Sequence, residues 1–107
     1  MTKEILITGC STGIGYHTAH QLRMQGYRVF ATARKPEDVT KLEQEGFEAC
    51  QLDLDSSESI ADALDWVLEQ TGGTLYALFN NGAYGQPGAV EDLTRDVLRQ
   101  QLETNLL

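Results

Sequence analysis

The sequence predicts an α/β fold, a doubly wound parallel sheet, and three observations predict it. Short apolar runs alternate four times with segments of helical periodicity. Each strand and its following helix together have roughly the length of one βα repeat. Polar or glycine clusters stand at the carboxyl ends of all four strands: Gly9 to Gly15, Arg34-Lys35, Asp53-Leu54 and Asn80 to Gly82. In an open parallel sheet, ligands bind beyond those ends. Right-handed crossovers would wind the units in the Rossmann manner, with helices on both faces.

The elements follow in order. Glu4 to Thr8 is short and apolar enough for a buried strand, and a helix follows from Gly13 to about Gln25. On that helix Ile14, Thr18 and Leu22 fall at i, i+4 and i+8, which predicts a narrow inward stripe. Gly26 suits its end. Arg28 to Ala33 is rich in β-formers. Pro36 suits the first turn of a helix running to about Glu45, and Gly46 ends it. Phe47 to Leu52 is a third strand, with Cys50 expected to be buried in it. Asp55 and Glu58 then have the spacing of a capping box. Ile60, Leu64, Val67 and Leu68 give the clearest helical stripe in the chain, and Gly72-Gly73 breaks it. Leu75 to Phe79 is the fourth strand, expected at a sheet edge. A loop with Gly85, Pro87 and Gly88 leads to a helix from about Thr94, with Leu98, Leu102 and Leu106 on one side.

The glycine turn carries the first chemical signal. A helix N-terminus has unpaired N–H groups and a partial positive charge. A diphosphate can approach those groups closely where glycine removes the Cβ. Composition excludes other classes. The net charge is −8 over 107 residues, which disfavours a nucleic-acid or anionic-membrane surface. No apolar run is long enough to span a bilayer. Met1-Thr2-Lys3-Glu4 leads straight into a strand, so no secretory leader is expected. Cys10 and Cys50 are too few for a disulfide framework and are read as reduced thiols of a cytoplasmic protein. Neither has a metal-ligand neighbour at useful spacing, so no metal site is expected. His17 and His20 are read as surface or rim residues.

The glycines are spaced G-x-x-x-G-x-G, with Thr8 before them and Ile14 between the last two. The complete T-G-x-x-x-G-I-G pattern from Thr8 to Gly15 resembles the short-chain dehydrogenase/reductase family. The resemblance implies that Gly9, Ser11, Thr12, Gly13, Ile14 and Gly15 form a pyrophosphate cradle. Asp53-Leu54 matches the family's acid-plus-apolar pair, and by that resemblance Asp53 accepts from the adenine amino group. Asn80-Asn81-Gly82-Ala83 is similar to the family's N-N-A-G with its last two residues exchanged. Asn80, Asn81 and Gly82 are accordingly assigned to the cofactor side. An asparagine in the last helix, here Asn105, is implied to support a proton-relay water and a catalytic lysine.

Arg34 bears on the choice of cofactor. In dinucleotide folds an acid at the end of the second strand binds the ribose 2′-hydroxyl. Ala33 stands in that place, and Arg34 follows. A guanidinium can bind a 2′-phosphate through paired hydrogen bonds, where an acid would repel it. The resemblance agrees, since a basic residue here marks NADP-preferring members. The expected cofactor is therefore NADP, and the expected reaction is hydride transfer between NADP(H) and a small carbonyl or alcohol substrate. Residues 1–107 are expected to be the N-terminal, NADP-binding part of one larger domain. The resemblance also implies a homo-oligomer for the complete form. The competing reading is a dinucleotide-binding module without chemistry, or a degenerate remnant.

The family's acid–base pair is Y-x-x-x-K. Here Tyr16, Tyr27, Tyr76 and Tyr84 are followed at that spacing by His20, Ala31, Asn80 and Gly88. General acid–base help is typically worth about 10²–10⁴-fold. The purified chain is predicted to show no steady NADPH consumption with a panel of aldehydes and ketones. Sustained turnover would show that another residue moves the proton.

Overall fold

The computed structural model describes residues 3–81 and 88–104. The elements are β1 (Glu4–Ile7), α1 (Gly13–Met24), β2 (Arg28–Ala33), α2 (Pro36–Gln44) and β3 (Glu48–Gln51). They continue with α3 (Ser57–Thr71), β4 (Leu75–Asn80), β5 (Gly88–Leu93) and α4 (Arg95–Thr104). Among the described residues the strands form one sheet in the order β3-β2-β1-β4-β5. The first four are parallel, with Ile5 paired to Val29 on one side and to Ala77 on the other.

Both faces of this sheet are covered, so its strands are apolar on both sides. Leu6, Phe30 and Leu78 point to one face and meet Ile60, Leu64, Val67, Leu98 and Leu102 of α3 and α4. Ile5, Ile7, Val29 and Ala31 point to the other, where Ala19 of α1 and Leu42 of α2 pack with Phe47. The alternation along β1 thus divides the core into two layers. The expected α3 stripe is buried at all four positions.

Four local expectations are corrected. The inward side of α1 is not the Ile14 stripe, because Ile14 is 59% exposed. Gly15 and Ala19 are the buried residues of this helix. Small residues let it approach the sheet closely, and Ile14 is left facing out. Second, Asp55 does not cap α3. Ser56 is the N-cap, and its hydroxyl accepts from the Ser59 N–H at 3.1 Å. Third, Cys50 is only partly buried, because β3 lies at the sheet edge. Fourth, residues 88–93 are a strand where a loop was expected, and β5 pairs antiparallel with β4, Asn80 opposite Gly88 and Leu75 opposite Leu93. The β4 edge is therefore covered. Leu106 lies outside the described residues.

The cap yields a stability prediction. Ser56→Ala should cost about 0.5–2 kcal/mol of unfolding free energy, read by urea denaturation. Asp55→Ala should cost clearly less. The reverse order would return the cap to Asp55.

Candidate dinucleotide site

Among the described residues, the candidate site is built at the carboxyl edge of β1, β2, β3 and β4. Gly9 and Gly13 have φ of 66° and 68°, a left-handed conformation that glycine adopts without strain. Gly15 is required for a different reason. A Cβ there would stand 2.3 Å from the Gly9 carbonyl oxygen and 2.7 Å from Asn81 Nδ2. The first turn of α1 is thus pressed against the end of β1. Asn81 Nδ2 donates to the same Gly9 carbonyl at 3.2 Å, so the end of β4 is tied to the glycine turn.

The end of α1 is electrostatically open. Thr12 is its N-cap, yet its side chain makes no capping hydrogen bond, and the first turn holds no acid. By contrast, α2 carries Glu37 and Asp38, α3 carries Glu58 and α4 carries Asp96 in the first turn. An anion at the α1 terminus would meet free N–H groups and the positive end of the helix.

Asn80 is the second anchor. It is 5% exposed, and its Oδ1 accepts from the Thr8 hydroxyl at 2.8 Å. That bond joins the ends of β1 and β4 from residues 72 apart in the chain. Asn80 Nδ2 is buried and has no hydrogen-bond acceptor among the described residues. A buried donor of this kind costs stability unless something accepts from it. Thr8 marks the sequence pattern, but its contact with Asn80 joins two strands and could not be read from spacing.

Across the sheet, Arg34 leaves the end of β2 and is 71% exposed. Its Nε lies 3.9 Å from Asp53 Oδ1 and its Nη2 lies 4.0 Å from Asp55 Oδ2. Gln51 Nε2 donates to the Arg34 carbonyl at 3.0 Å. Ala33, in the place of the usual acid, is buried. Leu54 is half-buried and packs against the α3 layer of the core. Ser11 is half-buried and Thr12 exposed along the turn. Gly82 and Asn105 lie outside the described residues.

The remaining reactive groups are structural. Cys10 sits within the glycine turn, but its thiol is buried and donates to the Ile7 carbonyl at 3.3 Å. Burial pushes that thiol up to about 12, so it is no nucleophile near neutral pH. The Tyr16 phenol donates to Glu45 Oε2 at 2.7 Å, and this bond to a carboxylate holds its pKa above the ordinary phenol value. His17 is exposed, as expected. His20 is partly buried, its ring set edge-on to Tyr16 and Phe47 with centroids at 4.5 and 4.9 Å. Among the described residues, no group of three His, Cys, Asp or Glu side chains could hold a metal ion. No described helix is long and apolar enough to cross a membrane.

The short chain dehydrogenase family model matches residues 3–107. An uncharacterized oxidoreductase of Escherichia coli K12, YbbO, is 43% identical over 105 residues, covering 98% of this chain and 39% of that protein. A 3-ketodihydrosphingosine reductase of Bacteroides thetaiotaomicron is 35% identical over 102 residues, covering 94% and 36%. Among solved structures, an actinorhodin polyketide ketoreductase variant with NADPH superposes with a TM-score of 0.65 at 32% identity, covering 77% of this chain and 33% of the other. A short-chain dehydrogenase from Streptomyces avermitilis superposes at 0.68 with 31% identity, covering 78% and 31%. The chain spans 39% of the YbbO sequence. With the family model matched from residue 3 onward and the glycine turn in its place on the sheet, the chain belongs to the short-chain dehydrogenase/reductase family, of which it represents the N-terminal portion.

Proposed function

We propose that this chain is the NADP(H)-binding part of a short-chain oxidoreductase that moves hydride between NADP(H) and a carbonyl or alcohol. The observation that carries the reading is the open, glycine-lined end of α1 beside the buried, acceptor-free amide of Asn80. A pyrophosphate fits the first, and the second is a buried donor left without an acceptor among the described residues, on a side chain held by Thr8, next to the glycine turn. The nicotinamide, when bound, would supply or accept the hydride.

In this reading the backbone of Gly9, Ser11, Thr12, Gly13, Ile14 and Gly15 cradles the pyrophosphate. The side chain of Ile14 is exposed and adds nothing to the core. Arg34 clamps the 2′-phosphate, Asp53 takes the adenine amino group and Leu54 is the apolar member of that pair on the cofactor side. Asn80, Asn81 and Gly82 belong to the cofactor side, and Asn105 supports the proton relay. Its acid–base tyrosine and lysine would come from residues other than these 107, which hold no Y-x-x-x-K. A small-molecule substrate, a homo-oligomeric complete form and a cytoplasmic location belong to the same proposal. The ketoreductase solved with NADPH supports the cofactor class.

The test is a titration with both reduced cofactors. A charge-assisted hydrogen bond contributes about 1.5–3 kcal/mol, on the order of ten- to a hundredfold in affinity. Arg34→Ala should weaken NADPH by about that factor and leave NADH little changed. The loss should shrink with added salt, because the guanidinium is exposed. Equal losses for both cofactors would mean that Arg34 supports the loop and does not read the phosphate.

A further inference from the structure

Asp55 has no capping role, since Ser56 caps α3. Its carboxylate faces Arg34, with Oδ2 4.0 Å from Nη2, and it is 77% exposed. Among the described residues its side chain makes no other ion pair or hydrogen bond. The turn that carries it is well held. The Asp55 N–H donates to Asp53 Oδ1 at 2.9 Å, the Ser56 N–H to the Asp53 carbonyl at 3.0 Å, and the Asp53 N–H to Ser59 Oγ at 2.9 Å. On the other side, the Gln51 amide fixes the Arg34 backbone. The two main-chain segments are therefore set, and only the side chains can choose partners.

We infer that Asp55 is a specificity-determining counter-charge: it competes for the Arg34 guanidinium and so limits how tightly the chain holds a 2′-phosphate. This rests on the NADP(H) reading above and adds a residue to it. A phosphate ester at the ribose 2′ position must draw Arg34 away from Asp53 and Asp55, whereas a 2′-hydroxyl need not. Asp53 cannot be removed cleanly, because its carboxylate also receives the Asp55 N–H. Asp55 can, because its side chain serves no other described contact. Asp55 acts through Arg34 and needs no contact with the nucleotide, so it is a positioning residue.

The probes are adenosine 2′,5′-bisphosphate and adenosine 5′-monophosphate, titrated into the wild-type chain, Asp55→Asn, Arg34→Ala and the double variant. Exposed ion pairs are weak, which sets the expected gain for the bisphosphate in Asp55→Asn at about 1.4- to 5-fold. The monophosphate should not change. With Arg34 already alanine, Asp55→Asn should have no effect on either probe. The inference is overturned by an unchanged bisphosphate affinity, or by equal gains for both probes. It is also overturned by a gain that survives in the Arg34→Ala background, since Asp55 would then repel the anion directly. The wild-type chain tests the underlying reading separately. Equal affinity for the two probes would remove the NADP assignment and this inference together, whereas a wild-type preference with an unmoved Asp55→Asn removes the inference alone.

Discussion

The Gly9 carbonyl is the point on which the site depends. It lies in the turn just after β1, it is approached so closely by α1 that Gly15 has no room for a Cβ, and it receives the Asn81 amide from the end of β4. A bulkier residue at Gly15 would push the helix off the sheet or displace Asn81. In either case the N–H groups of the first turn would no longer sit beside the strand ends. The Thr8–Asn80 bond reinforces the same junction from within the core. Both bonds link residues 72 apart in the chain, so the cradle exists only when β1 and β4 are paired.

Charge divides the candidate site into two unlike ends. At the glycine turn, α1 has an uncapped and acid-free terminus, where the helix field is unopposed. At the β2 and β3 ends, Arg34 shares its surroundings with Asp53 and Asp55. In the proposed reading, an anion would meet no opposing acid at one end and competing carboxylates at the other. In a chain of net charge −8, anion binding elsewhere on a broad surface is disfavoured.

Much of this was legible in the sequence. Parallel strands buried on both faces read as short apolar runs, and α3 shows full periodicity because bulky residues line its inner side. The errors share a cause. Periodicity weighs large apolar residues, so it chose Ile14 over Gly15 and Ala19, although close approach needs the small ones. The capping pattern fitted Asp55 and Glu58, but Ser56, one residue on, has the extended backbone at the helix start. β5 was hidden because Gly88-Ala89-Val90-Glu91-Asp92-Leu93 alternates poorly and follows strong turn signals. The Thr8–Asn80 and Arg34–Asp55 contacts join segments separated in the chain and have no local signature.

The central claim is that the carboxyl edge of the four parallel strands is one nucleotide cradle. Its most direct test is amide chemical-shift mapping of the isotope-labelled chain during titration with NADPH. The account predicts shifts at Gly9, Gly13, Gly15, Arg34, Asp53, Asn80 and Asn81, saturating together with one affinity. Shifts confined to the opposite edge, around Lys3, Gly26 and Tyr27, or no saturable shifts at all, would contradict it.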